Sequence, residues 1–205
     1  MKVAVLGGTG PFGSALARRL VEAGVDVTIG SRDADRAAAT AAEVGAARGL
    51  ANADTVDGAE LVVLSVDASA ALSTAAELAE RLGVTPVLSV ASELRVENGA
   101  AFPSDEPLSL AERIQQALRG PVVAGLHSLA AKSLAAGKAE GDALVCGDDD
   151  AAKAAALELA QMLVTGRALD AGPLASARAL EGMTAVIVNL NRRYRGHAGL
   201  HVDGL

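Results

Sequence analysis

The chain has 205 residues, 51% of them hydrophobic, and a formal net charge of −7, a size that fits one sizeable domain with a substantial core. Aromatic residues amount to 1%, tryptophan is absent and no lysine or arginine block occurs, so the electrostatic footprint and stacking platforms of nucleic-acid binding are missing. No apolar stretch approaches the roughly 18 residues that span a bilayer, and a single cysteine, Cys146, excludes an internal disulfide and a cysteine-based metal cluster.

Residues 1–6 form a short apolar run, too brief for a signal-peptide core, and read as a strand. The run enters the turn Gly7-Gly8-Thr9-Gly10-Pro11-Phe12-Gly13, and an apolar-periodic helix follows over 14–23. Gly8-x-Gly10-x-x-Gly13 in that setting places residues without side chains at the tight turn, at the closest approach to a pyrophosphate and at the helix–strand contact, which points to a dinucleotide. A second strand is expected over 25–29, then a helix over 34–44 capped near Ser31 or Asp33. The continuous β-branched and leucine run 61–66 reads as a strand buried on both faces. A helix over 69–82, a strand over 86–91 and a helix over 108–118 come next, with 97–107 expected as a loop at the ligand-binding edge. Strands over 121–126 and 142–146 precede a helix over 151–163. A last helix over 173–191, apolar at Leu174, Leu180, Met183, Val186, Ile187 and Leu190, would cap the site or form a dimer interface.

This alternation predicts an α/β class chain: a doubly wound, mostly parallel sheet of Rossmann type with a C-terminal helical segment. Residues 1–171 are expected to form the dinucleotide-binding domain and 172–205 a helix and tail packed upon it. A cytoplasmic homodimer is expected, with no membrane or nucleic-acid partner.

The position that selects the dinucleotide lies at the end of the second strand, where an Asp or Glu would hold the ribose 2′-hydroxyl of NAD. Here the chain reads Gly30-Ser31-Arg32-Asp33-Ala34-Asp35-Arg36. Ser31 can donate to a 2′-phosphate, and Arg32 can pair with it and stack on adenine, with Arg36 one helical turn on. NADP is therefore favoured over NAD; the competing reading pairs both arginines with Asp33 and Asp35.

Other candidates have structural readings. Asp148, Asp149 and Asp150 precede a helix and suit capping. Cys146, in an apolar run, reads as a buried thiol. His197 and His201 are separated by Gly199, which argues against a metal pair on one helix face. Arg192, Arg193 and Arg195 suit a solvated helix end or contact with an acidic ligand tail. Ser65 and Ser89 lie in buried runs without a nearby base. No catalytic triad and no metal site is expected.

With these residues placed, the whole chain resembles the NADPH-dependent F420 reductase family. The likeness runs from Gly7–Gly10 and Gly30-Ser31-Arg32 through Leu126-His127, Val145 to Asp150 and Leu169 to Leu174. It continues through Ser176, Arg178, Glu181, Thr184 and Asn189 to the closing Gly199–Leu205 segment. The resemblance implies an enzyme that binds NADP(H) along the first turn, lays the deazaflavin coenzyme F420 against the nicotinamide, and passes hydride directly between the rings. It implies Thr9, Gly10, Pro11 and Phe12 at the pyrophosphate, Ser31, Arg32 and Arg36 at the 2′-phosphate, Val66 and Ala91 beside the nicotinamide, and Ala131 among the cofactor contacts. His127, Leu129, Thr184 and Leu205 would wall the deazaflavin. The chain departs from the family pattern at Asp67-Ala68 (Pro-Trp in the pattern), at Ser128 to Lys132 (Thr-Ile-Pro-Ala-Ala) and at Gly182 (serine). Those departures leave room for another acceptor, an imine, a flavin or a natural-product intermediate, and a non-catalytic NADP sensor is the reading from a different class.

Overall fold

A computed structural model describes all 205 residues. The first half follows the expected winding with β3 and α3 added to it: β1 (Lys2–Leu6), α1 (Pro11–Glu22), β2 (Asp26–Ser31), α2 (Ala34–Val44), β3 (Arg48–Ala51), α3 (Asn52–Thr55), β4 (Leu61–Leu64), α4 (Ala68–Glu77), α5 (Ala79–Leu82) and β5 (Val87–Ser89). The chain then forms β6 (Leu94–Glu97), β7 (Ala100–Pro103), α6 (Leu110–Ala117), β8 (Val122–Gly125), α7 (Ala131–Ala136), β9 (Ala143–Gly147), α8 (Asp150–Leu163), β10 (Ala168–Asp170), a 3₁₀ turn over Leu174–Ser176 and α9 (Ala177–Tyr194).

Eight strands make one sheet in the order β10-β9-β8-β5-β4-β1-β2-β3. Every neighbouring pair is parallel except β8–β9, so the sheet is doubly wound and mostly parallel. Side chains alternate across it, as the two-residue period of a strand requires. Val3, Val5, Val27, Ile29, Val63 and Leu88 pack under α1, α2 and α8. Ala4, Leu6, Val62, Leu64, Val87 and Cys146 pack against α4, α6 and α9. Cys146 is fully buried, and burial pushes its thiol up to about 12, which makes it packing material and not a nucleophile.

Two expectations about local structure are corrected. The segment 97–107 is not simply a loop: β6 and β7 pair antiparallel across Asn98-Gly99, both at positive φ (47° and 78°), a combination that suits a tight two-residue hairpin turn. The helix expected over 69–82 is two helices, with Leu78 between them at φ −97° and ψ 0°.

The C-terminal helix is tied in at two points. Asn189 bonds both the Ala101 N–H and the Ala101 carbonyl, each at 2.8 Å, as a neighbouring strand would. Glu181, 5% exposed, accepts from the Leu110 and Ala111 N–H groups at 3.0 and 3.1 Å, donors at the start of α6 that lack intrahelical partners. Burial raises the Glu181 carboxyl above its ordinary range despite those bonds. Replacing Glu181 by alanine leaves two buried donors unpaired, and denaturant unfolding should show a loss of about 2–4 kcal/mol.

Beyond α9 the tail folds back on Asp142, whose side chain is completely buried. Its carboxylate accepts from the Arg167 N–H at 2.7 Å and the Val202 N–H at 2.8 Å, while the Asp142 N–H donates to Leu200 at 2.6 Å. These backbone donors, joined by the Arg167 guanidinium, hold the Asp142 carboxyl down to about 2. A lowered folded value means that this group stabilises the docked tail above the unfolded range near 3.9, with the contribution lost as pH falls through about 2. The Val202 amide resonance should therefore hold steady at pH 4 and move with a midpoint near 2.

Candidate functional site

The parallel strands end on one edge, and a groove runs along it past the point where strand order reverses, the position where doubly wound sheets bind ligands. One stretch of the groove, about 340 Å³, is lined by Gly7, Thr9, Gly10, Ser31, Arg32, Asp33, Arg36, Asn52, Ser65, Val66 and Asp67 and by two residues of α4. A second stretch, about 250 Å³, shares Gly10, Ser65, Val66 and Asp67 and continues over Pro11, Phe12, Val90, Ala91 and Ser92. The two make one path across the ends of β2, β1, β4 and β5.

The turn after β1 explains why glycine stands there. Gly7 has φ +75°, and an added Cβ would lie 2.5 Å from the Ser65 carbonyl oxygen; at Gly13 it would lie 2.5 Å from the Gly7 carbonyl oxygen. Both clashes are with backbone, so β1, β4 and α1 can approach this closely only without side chains. At Gly10 the nearest atom is 3.3 Å away, and Gly10 opens α1 with Pro11 in its first turn. The first N–H groups of a helix lack intrahelical acceptors, which makes the start of α1, at Gly10 on the groove, a natural seat for an anion.

At the far end of the same stretch, Asp33 is occupied as the α2 cap, accepting from Asp35 and Arg36 N–H at 3.0 and 3.1 Å. Neither Arg32 nor Arg36 forms an ion pair, so the alternative pairing with Asp33 and Asp35 is absent. Ser31, 6% exposed, accepts from the Asp33 N–H at 3.2 Å and the Thr9 hydroxyl at 3.4 Å, which leaves its own O–H free to donate. Two unpaired guanidinium groups and a free hydroxyl suit a phosphate monoester.

Sequence reasoning missed Asn52, which lines the groove with its buried Oδ1 unpartnered. A side chain at Gly30 would meet that oxygen at 2.9 Å, so the Gly30 backbone makes room for it. An orphaned acceptor facing a groove signals a ligand donor. Asp67 was noticed only as a departure from pattern; it borders both stretches and makes no capping bond to α4.

Comparison with known proteins gives the family. The family model described as NADP oxidoreductase, coenzyme F420-dependent, matches residues 2–93. An F420-dependent NADP reductase of Methanothermobacter marburgensis is 32% identical over 100% of this chain and 99% of its own, and one of Methanocaldococcus jannaschii is 33% identical with the same coverage.

The chain belongs to the F420-dependent NADP reductase family.

A solved structure of a provisionally assigned F420-dependent NADP reductase from Arthrobacter sp. FB24 superposes with a TM-score of 0.87 at 29% identity, over 100% of both chains. Next to β5 in the sheet lies β8, whose chain continues into Leu126 and His127. There His127 is 6% exposed and neither ring nitrogen has a hydrogen-bond partner. Burial pushes its imidazole down to about 4, outweighing the opposing pull of the Ala91 backbone, so the ring is neutral near pH 7. Leu126, just before it, is held at φ +65°, a strained turn for a branched residue.

Thr184 of α9 bonds Ser92 at 2.7 Å and donates to the His127 carbonyl at 3.1 Å, which ties the terminal helix to the groove wall. Leu129 packs in the core and Ala131 opens α7; neither lines the two stretches. Leu205 is 83% exposed, and its backbone carbonyl accepts from Arg167 at 3.0 Å. The structure thus gathers His127, Thr184, Ala91 and Ser92, and leaves Leu129 in the core and Leu205 on the surface tail. The acidic run serves as expected: Asp149 caps α8 through the Ala152 N–H at 2.8 Å, and Asp148 accepts from the Leu174 N–H at 2.9 Å.

Proposed function

We propose that this chain works as a cytoplasmic homodimer that transfers hydride directly between NADP(H) and coenzyme F420. The observation that carries the reading is the groove from unpaired Arg32 and Arg36 to Ala91 and Ser92, where Ser92 is tied through Thr184 to the His127 carbonyl, on a chain alike over its full length to F420-dependent NADP reductases. When bound, the two coenzymes supply the hydride donor and acceptor, so the chemistry asks for alignment and exclusion of water more than for side-chain acid or base.

In this reading Thr9, Gly10, Pro11 and Phe12 hold the pyrophosphate, and Ser31, Arg32 and Arg36 bind the 2′-phosphate. Val66 and Ala91 border the nicotinamide. His127, neutral at working pH, stands behind the deazaflavin side without adding charge to the site, and Thr184 fixes the backbone that carries it. The homodimer rests on Val186, Leu190 and Tyr194, exposed by 58%, 41% and 72% at every fourth residue of α9. Such a stripe is the face that a second copy would cover.

Stopped-flow mixing of the protein with NADPH and oxidised F420 tests the function. The expected result is bleaching of the deazaflavin band at the rate of NADPH oxidation. A protein that binds NADPH and leaves F420 oxidised would sink the proposal.

A further inference from the structure

A third cavity, about 370 Å³, is lined by Ser128, Lys132, Ser133, Lys138, Glu140 and His197 together with small residues. Its place follows from strand order. The groove passes the ends of β2, β1, β4 and β5 in turn; β8 is next in the sheet, and Ser128 follows His127 at its end. The cavity therefore lies one strand beyond the Ala91 end of the groove, on the same edge of the sheet.

The lining is basic although the chain as a whole is acidic. Against a net charge of −7, two of the four lysines in the sequence border this one cavity, and neither forms an ion pair. Glu140 is its one acid. The wall is firmly set: a Cβ at Gly199 would meet the Glu140 carbonyl oxygen at 2.8 Å, and one at Gly141 the Leu200 carbonyl oxygen at 2.2 Å. The Asp142 anchor described above holds that wall in place.

We infer that this cavity binds the anionic tail of the deazaflavin coenzyme, with Lys132 and Lys138 as the groups that recognise its phosphate and carboxylates. The inference rests on the function proposed above. Ammonium groups on long stems meet a flexible oligoanion without demanding one geometry, and Ser133 and His197 add donors. Lysines at a cavity rim act partly through the screened field, so salt should weaken their effect.

The test compares kcat/KM for F420 with that for the tail-less deazaflavin carrying only a ribityl chain, NADPH being held in excess. The wild-type chain should prefer the full coenzyme by about tenfold at low salt, the scale of one or two charge-assisted contacts. High salt should shrink that preference, and the Lys132→Gln/Lys138→Gln variant should bring it close to parity. Because the ratio is taken within one protein, a partly unfolded variant does not distort it. Equal wild-type kcat/KM for the two deazaflavins, or a preference that survives both substitutions, would overturn the subsite alone. Reduction of neither deazaflavin would overturn the function and this subsite together.

Discussion

Replacing Arg32 and Arg36 together by alanine should raise the KM for NADPH by about 100-fold while that for NADH stays within about twofold, since each charge-assisted contact to a phosphate is worth about 1.5–3 kcal/mol. The asymmetry is the content of the prediction. Both guanidinium groups line the groove without a protein partner, and Asp33, the carboxylate next to Arg32 in the chain, is held by the α2 N-terminus. Only the 2′-phosphate distinguishes the two dinucleotides, so a residue that binds it must separate them. Steady-state kinetics with each dinucleotide at varied concentration decides; equal loss for both would mean that the arginines serve the turn and not the phosphate.

A pair of glycine substitutions should separate folding from binding at the opening turn. In Gly13→Ala the new methyl would lie 2.5 Å from the Gly7 carbonyl oxygen and 2.9 Å from the Gly8 Cα, so α1 must move off β1. Overpacking of this kind costs about 1–3 kcal/mol, and the turn that seats the pyrophosphate opens as well, so both the melting temperature and NADPH affinity should fall. Gly10 has φ −79° and ψ 163°, which alanine adopts without strain, and its nearest contact is 3.3 Å away. Gly10→Ala should therefore melt within a few degrees of the wild type yet bind NADPH about 100-fold more weakly, a loss of about 2.7 kcal/mol. Calorimetry of folding and of binding on the two variants checks the split; a Gly10→Ala protein with wild-type affinity would remove the turn from the pyrophosphate site.

The order of legibility has a physical basis. Helix α2 was readable to the residue, 34–44, because Asp33 supplies a local cap and alanine and valine supply the period. Strand β3 was invisible: Arg48-Gly49-Leu50-Ala51 holds no β-branched residue. It exists because Gly49 lets it lie against α2, where a Cβ would come within 2.1 Å of the Ala37 carbonyl oxygen, a tertiary cause that no window of sequence contains. The reversed direction of β9 was equally hidden, since buried apolar runs carry no sign of parallel or antiparallel pairing. The hairpin could have been found, because Asn98-Gly99 is a strong turn pair; a reading of 97–107 as acidic, Gly- and Pro-rich loop obscured it.

The groove divides in the same way. Its phosphate-facing half was legible because glycine spacing and Ser31-Arg32 are local patterns. The acceptor-facing half is assembled from distant residues: Ser92 and Thr184 meet across 92 positions of sequence, and Asn52 matters only through an oxygen left unpaired in three dimensions.

The central claim, direct transfer between two coenzymes held along one groove, is tested most directly with NADPH deuterated at nicotinamide C4, reacted with oxidised F420 on the protein in ordinary water. The expected product is reduced deazaflavin carrying that deuterium at C5. Reduced deazaflavin with solvent hydrogen there in place of deuterium, or no reduced deazaflavin at all, would contradict it.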